Sequence, residues 1–200
     1  MRVLSANLHK KANSKIGPGD FCQKIMNDNF VFCIFCETSQ ENKVETLLRK
    51  LGYKVISALV ERNAVKNGKL VKELRSVIPG YVFFENNTEP DWIEICKSKY
   101  IYYPLHYPDN QKKLKDNDLN FIKWLNGNNG KINISKAMKI GNKIRFIDGP
   151  LMELEKYIVK INKGQKCAGI KLQGEKINNI IWLSYELAAA PHPAANHPRG

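Results

Sequence analysis

Acidic residues are scarce in this chain of 200 residues, where 19 Asp and Glu stand against 32 Lys and Arg and leave a formal net charge of +13. Such an excess of cations favours a polyanionic partner, because Lys and Arg release counterions from phosphates when they bind. The sequence also lacks the run of roughly 18 apolar residues that a membrane span requires and the apolar stretch of a signal peptide. We therefore expect a cytoplasmic protein that binds nucleic acid and no membrane.

Catalytic and metal-binding motifs are missing as well. The four histidines are scattered, and there is no phosphate-binding glycine loop, nucleophile elbow or HExxH. Because a nucleophile without a positioned base is inert, we expect no enzymatic activity, no metal and no cofactor. The five cysteines have no framework spacing, which is typical of a reducing compartment. Cys33 and Cys36 form a CxxC inside an apolar run, which favours buried packing over a zinc site.

The first part of the chain alternates strand and helix signals. The apolar run FVFCIFC at 30–36 predicts a buried strand. Thr38 and Glu41 then predict a capping box at the start of a helix, which Gly52 ends as a left-handed cap. Further strands are predicted at 54–60, 70–75, 77–85 and 100–103, and further helices from Thr88 and over 116–125.

Asparagine and glycine crowd residues 126–130, where they favour a turn over a helix. Beyond them, short alternating strands of the kind a small barrel needs are predicted at 143–147, 157–161, 167–172 and 180–183. The resulting prediction is an extension or flexible arm at 1–28, a first domain at 29–126, a linker at 127–136, a second domain at 137–187 and a disordered, not necessarily native tail at 188–200.

Two segments are the most informative. The first is VIPGYVFF at 77–84, and the second is KIRFIDGP at 143–150, followed by EKYIVKI at 155–161. Their order resembles the NusG family of transcription elongation factors. The resemblance implies an α+β fold, with an NGN domain of antiparallel sheet flanked by helices followed by a small SH3-like KOW β-barrel. It covers residues 30–187 and is greatest to the specialised paralogue LoaP and its UpxY-like relatives.

The resemblance implies a monomeric, specialised factor for transcription elongation and antitermination. Such a factor binds RNA polymerase and a nascent-RNA hairpin, and it promotes readthrough of terminators in specific operons. Two alternatives are a housekeeping NusG, which needs no RNA element, and a ribosome-associated KOW protein, which binds RNA and ignores polymerase.

The same resemblance implies a polymerase-binding site on the Pro-Gly-Tyr strand. Its residues match the positions with which the family grips the clamp helices of the polymerase β′ subunit: Ile78, Pro79, Gly80 and Tyr81. Proline lacks the backbone N–H that would hydrogen-bond to a neighbouring strand, and glycine lets the backbone bend. Such a strand can therefore present Ile78 and Tyr81 beside a groove. Phe35 and Tyr53 either line the same groove or fill the core.

Cations cluster on the predicted hairpin whose tip is Asn67-Gly68, a dipeptide that tolerates a tight turn. We interpret them as an RNA-binding surface, because Arg and Lys on a protruding hairpin can follow a phosphate backbone; a solvated face that aids solubility is the alternative. The hairpin cations are Arg62, Lys66, Lys69, Lys72 and Arg75, and a second, weaker cluster is Lys112, Lys113 and Lys115.

The second domain has one departure from the family pattern. Lys156 occupies a place where the family usually has glycine, which implies an altered turn or ligand surface. Four more lysines make this predicted barrel basic: Lys160, Lys163, Lys166 and Lys171.

Overall fold

The structure of the protein is a computed structural model that describes residues 29–188. The predicted arm at 1–28 and the predicted tail, apart from its first residue, lie outside the described residues. Within 29–188, no helix is long and apolar enough to cross a membrane.

The first half of the described chain contains six strands and three helices. They are β1 (Phe30–Cys36), α1 (Glu41–Lys50), β2 (Lys54–Ile56), β3 (Leu59–Lys66), β4 (Lys69–Ser76), β5 (Tyr81–Asn86), α2 (Trp92–Ile95), β6 (Ile101–Pro104) and α3 (Asp116–Gly127). Four of these strands form a sheet in the order β2-β5-β1-β6, with β1 antiparallel to both of its neighbours.

Strand β1 is apolar throughout because both sides of its sheet are covered. Val31 and Cys33 point into one core, which α3 completes with Ile122 and Leu125. The alternate residues of β1 point into a second core, which α1 and α2 complete: Phe32, Ile34 and Cys36 of the strand pack with Val44, Leu48 and Ile95. The predicted strand at 30–36 is therefore confirmed with its bounds.

The second half is built from β7 (Lys131–Ile132), β8 (Ser135–Ile140), β9 (Lys143–Asp148), α4 (Pro150–Glu153), a 3-10 turn (Glu155–Tyr157), β10 (Ile158–Asn162), β11 (Cys167–Lys171) and β12 (Ile180–Leu187). A five-stranded sheet has the order β10-β11-β12-β8-β9. The predicted linker at 127–136 contains β7, which pairs in parallel with β3, and the first residues of β8. The sequence prediction missed β8 because its residues are partly polar and follow the Asn- and Gly-rich stretch.

Strands β3 and β4 form the predicted hairpin, in register from Leu59 opposite Ser76 to Lys66 opposite Lys69. The tip has the expected geometry, since Asn67 and Gly68 have φ of 51° and 73°. Positive φ at both central residues is what a type I′ turn requires. The hairpin therefore has a defined tip and fixes which side chains share a face.

Several local predictions are wrong, among them the strand predicted at 77–85, which begins only at Tyr81. The capping box does not form, because α1 begins at Glu41 and its preceding residue, Gln40, makes no side-chain cap. The predicted strand at 54–60 is two strands, since β2 pairs with β5 whereas β3 pairs with β4. The helix predicted from Thr88 begins only at Trp92, where the Asp91 side chain accepts a hydrogen bond from Glu94 N.

A buried carboxylate joins the two halves. Asp118 on α3 is 1% exposed, and it accepts hydrogen bonds from the Tyr107 hydroxyl at 2.8 Å and from the backbone N–H groups of Lys176 and Ile177 at 3.1 and 2.9 Å. A Cβ on Gly174 would lie 1.8 Å from Asp118 Oδ1, so the loop between β11 and β12 requires glycine there. Asp118 thus fixes that loop against α3.

We predict that Asp118→Ala lowers the free energy of unfolding by about 3 kcal/mol, because it leaves two buried donors and one partly buried donor without their acceptor. Chemical denaturation measures this change. The control is Asp148→Ala, which removes the same charge from a 66% exposed side chain 3.6 Å from Lys136 and should cost less than about 0.5 kcal/mol. Equal losses in the two variants would contradict the structural role of Asp118.

Candidate interaction surfaces

The Pro-Gly-Tyr segment forms a tight turn before β5 and is held at both sides. The Gly80 N–H donates to Glu41 Oε1 at 2.7 Å, and the Gly80 carbonyl accepts from Cys36 N at 2.8 Å. Gly80 has φ of 83°, and a Cβ there would lie 3.2 Å from the Cys36 carbonyl oxygen. Glycine is therefore needed at this position both for its backbone conformation and for space.

Ile78 does not lie on the surface of this turn, contrary to the sequence interpretation. It is 2% exposed and belongs to the core that α3 covers. The reason is local, since the chain turns at Pro79 and Gly80 before β5 begins, so the side chain of Ile78 points inward. Pro79 is exposed, whereas Tyr81 is half-buried and packs against the edge of the same core.

Four aromatic side chains form what we call the aromatic surface: Phe35, Tyr81, Tyr102 and Tyr103. Phe35 lies at its centre, with ring centroids 5.3 Å from Tyr81, 5.4 Å from Tyr102 and 5.3 Å from Tyr103. Strand pairing imposes this arrangement, because Phe35 is opposite Tyr81 of β5 and opposite Tyr103 of β6. Tyr102 and Tyr103 are 58% and 48% exposed, so a partner can reach them directly.

The phenol of Tyr81 stays neutral within this surface. Burial, with the nearby Cys33 and Tyr103, raises the pKa of Tyr81 above its ordinary value. A neutral hydroxyl can donate a hydrogen bond at the edge of an apolar contact, which is one reason why tyrosine is frequent at protein interfaces.

Tyr53 lies on the other side of the sheet. Its ring packs 5.1 Å from that of Phe84 in the core covered by α1 and α2, and its hydroxyl accepts from Asp91 N at 3.0 Å. Of the two roles left open for Tyr53, the structure gives it the role in the core. Tyr102 and Tyr103 were missed as site residues; their clustering beside a strand was the available signal, but sequence does not give the pairing of β6 with β1.

A cleft of about 830 Å³ borders the Pro-Gly-Tyr turn, and Pro79 and Tyr81 belong to its lining. Both halves line it, with Glu41, Arg62 and Glu73 from the first half and Trp182 and Ser184 from the second. These linings are mostly charged or polar. The more apolar contact area beside the turn is therefore the aromatic surface, which shares Tyr81 with this cleft.

Most of the predicted hairpin cations already have partners on the protein. Arg62 donates through Nη2 to the Trp182 carbonyl at 3.1 Å. Glu73 lies between Arg75 at 2.7 Å and Lys66 at 3.2 Å, and its hydrogen bonds to them lower the pKa of the Glu73 carboxyl. Lys72 lies 3.8 Å from Glu186. Among residues 29–188, only Lys69 of this set has neither an ion pair nor a side-chain hydrogen bond.

The second predicted cluster is also engaged with its own protein. Lys112 and Lys113 lie over the rings of Trp92 and Phe30, with Nζ 5.5 and 3.3 Å from the centroids. Lys115 lies 3.3 Å from Asp109 and over the ring of Tyr107. These contacts hold the cations against their own protein, so a phosphate ligand would have to share or replace them.

The CxxC cysteines are packing residues, as the sequence predicted. Cys33 and Cys36 are both fully buried and belong to opposite cores. Burial raises the pKa of Cys33 well above its ordinary value and that of Cys36 to about 11, so both thiols are protonated near neutral pH. In the part of the chain that the structure describes, no group of three metal-ligating side chains comes together.

Comparison with known proteins identifies the first half. Residues 31–122 match the family described as "Transcription termination factor nusG", and this match covers just under half of the chain. No curated protein matches the sequence. A solved structure described as "Domain interaction in Thermotoga maritima NusG" is 16% identical, covers 78% of this chain and 93% of its own, and has a TM-score of 0.43. The match supports the predicted family for residues 31–122; the predicted resemblance to LoaP and UpxY stays a prediction.

We predict that Gly80→Ala lowers the free energy of unfolding by about 2 kcal/mol, because it forces an L side chain into the left-handed region and against Cys36. Thermal or urea unfolding checks this. Gly127→Ala is the control, since a Cβ there meets nothing within 4 Å; it should be neutral or slightly stabilising. A neutral Gly80→Ala variant would show that the turn is not held as described.

Proposed function

We propose that this protein is a specialised NusG-type factor for transcription elongation and antitermination. It binds the β′ clamp helices of RNA polymerase and a nascent-RNA hairpin, and it promotes readthrough of terminators in specific operons. The aromatic surface on a NusG-family domain is the observation that carries this proposal. Under this proposal, the protein is a cytoplasmic monomer that acts through binding energy alone and needs no enzymatic activity or cofactor.

The aromatic surface suits a helical partner for physical reasons. Its rings rest on paired strands and on a turn tied to α1 through Glu41, so little ordering is needed on binding. Aromatic side chains in a pre-formed patch are frequent hot spots of protein interfaces. The proposed contact with polymerase consists of six residues: Phe35, Pro79, Gly80, Tyr81, Tyr102 and Tyr103. Ile78 and Tyr53 are not part of it, because each packs into one of the two cores of the sheet.

We further propose that residues 137–187 are the KOW barrel and that residues 29–126 are the NGN domain. The sheet order β10-β11-β12-β8-β9 and the turn at Gly149-Pro150 after β9 support this assignment. Gly149 has φ of 86°, and a Cβ there would lie 3.0 Å from Ser135 Cα. Lys156, which departs from the family pattern, lies exposed in the 3-10 turn before β10.

Binding can act on transcription without chemistry. A protein that holds the clamp in one conformation shifts the equilibrium away from an open, paused state by its differential affinity for the two states. Simultaneous attachment to RNA raises the effective concentration at the polymerase. The RNA contact is therefore what selects an operon, and the aromatic surface supplies attachment.

We predict that Tyr102→Ala and Tyr103→Ala each weaken binding to RNA polymerase by about tenfold, since truncating a hot-spot aromatic costs 1–2 kcal/mol or more. RNA affinity should be unchanged. Binding of the purified variants to an assembled elongation complex measures the first effect, and RNA gel shifts in moderate salt measure the second.

The matched control is Ile93→Ala, which removes an 81% exposed apolar side chain from α2 on the other side of the sheet. It should leave polymerase binding intact. Equal losses in Ile93→Ala and Tyr102→Ala would place the polymerase contact elsewhere. Polymerase binding without any RNA element would favour a housekeeping NusG, and RNA binding without polymerase would favour a ribosome-associated protein.

We predict that replacing Lys66, Lys69 and Lys72 by Gln lowers the affinity for a nascent-RNA hairpin and reduces the salt slope by roughly one per lost phosphate contact. Arg62→Ala should instead lower stability, because Arg62 bonds the Trp182 carbonyl. Fluorescence anisotropy over a series of KCl concentrations measures the slope. An unchanged slope would move the RNA contact away from the hairpin.

A further inference from the structure

Carboxylates are absent from two stretches of the second half. Residues 137–147 and 156–174 contain no Asp or Glu, yet together they carry eight cations. In a chain where 19 acidic residues accompany 32 basic ones, such stretches concentrate positive charge. Phosphates are the usual partners of such acid-free basic surfaces.

The fold brings together one turn from the middle of each stretch. Lys163, in the turn after β10, donates to the carbonyl oxygen of Asn142, in the turn before β9, at 2.5 Å. Strands β9 and β10 are the two edges of the five-stranded sheet, so this bond joins the turns at opposite edges. Lys143 follows Asn142 directly, and Arg145 lies two residues along the same strand and on the same face.

We name the cations at and beside these two turns the turn cluster: Lys139, Lys143, Arg145, Lys160, Lys163 and Lys166. All six are exposed. Ile140, the cross-strand neighbour of Lys143, is 53% exposed and adds apolar area between the charges.

The turn cluster differs from the hairpin in its charge balance. On the hairpin, Lys66, Lys72 and Arg75 each lie within 4 Å of a carboxylate of Glu73 or Glu186. None of the six cations of the turn cluster forms an ion pair with another residue in 29–188. A ligand phosphate therefore displaces no carboxylate at the turn cluster, whereas it must compete with one on much of the hairpin.

We infer that the turn cluster is a second RNA-binding surface, which follows the phosphates of single-stranded transcript without reading its sequence. The inference rests on the proposed function, in which the transcript leaves the polymerase beside the bound protein. Lysine suits this role because its flexible charge contacts phosphate without demanding a fixed geometry. The hairpin would then contribute selectivity, and the turn cluster would contribute affinity that depends strongly on salt.

The test uses the full chain with Lys139, Lys143, Lys160 and Lys166 replaced by Gln, which leaves the bond from Lys163 to Asn142 in place. The probe is an unstructured, mixed-sequence RNA of about 20 nucleotides, followed by fluorescence anisotropy over a series of KCl concentrations. We expect the slope of log K against log [KCl] to fall by about two to three, since each phosphate contact on a single strand contributes roughly 0.7. Affinity at low salt should fall at least tenfold.

A control variant removes the same number of charges elsewhere, with Lys50, Lys54, Lys97 and Lys99 replaced by Gln. All four are exposed, and affinity for the same RNA should change less than threefold. Equal losses in the two variants would overturn the inference in favour of a net-charge effect. Single-stranded DNA of the same sequence should lose affinity by a similar factor in the turn-cluster variant, because both polymers present the same phosphates; a loss confined to RNA would overturn the proposed phosphate contact.

Binding to polymerase separates this inference from the proposed function. The turn-cluster variant should keep its affinity for a polymerase core without RNA, and thermal unfolding should match that of the parent protein. If the parent protein ignores polymerase but the turn-cluster variant loses RNA, the proposed function fails and the RNA surface stands. If the parent binds polymerase and the turn-cluster variant keeps full RNA affinity, the RNA surface fails alone.

Discussion

The burial of β1 on both sides is the constraint on which the rest of this structure depends. A strand with seven apolar residues must be covered twice, so α1 and α2 pack on one side and α3 packs on the other. Phe35, near the end of that strand, is where the aromatic surface gathers, and α3 carries the carboxylate that holds the second half. The proposed contact with polymerase and the joining of the two halves thus have one origin in the packing of a central strand.

Much of this fold was predictable, because local patterns fixed it. Continuous apolar character gave β1 with its bounds, Asn67-Gly68 gave the hairpin tip, and apolar alternation gave four strands of the second half. What the sequence could not give were pairings between distant segments. Glu41 fits a capping box by spacing, but it bonds the N–H of Gly80 instead, and Tyr102 became part of a surface only through the pairing of β6 with β1.

The sequence also did not predict which cations form ion pairs within the fold. Five cations on one hairpin indicated an RNA surface, yet the fold brings Glu73 and Glu186 beside three of them and gives Arg62 a carbonyl partner. The second half shows less clustering of cations along the sequence, yet eight of its cations lie in two stretches without carboxylates. The formal charge of a segment is therefore a poor guide to its affinity for phosphate. Ion pairs formed in the fold decide which cations can contact a phosphate without competition from a carboxylate.

The contact between Asp118 and the backbone near Gly174 bears on how this protein can change over evolution. A side chain at 174 would occupy the position of the carboxylate, and loss of the carboxylate would leave buried N–H groups unmatched. Neither residue can be substituted alone, even though the two lie 56 positions apart in the chain. A chimera that takes its second half from a relative would fold only if the relative has a glycine at the position of Gly174, so that its loop fits against Asp118.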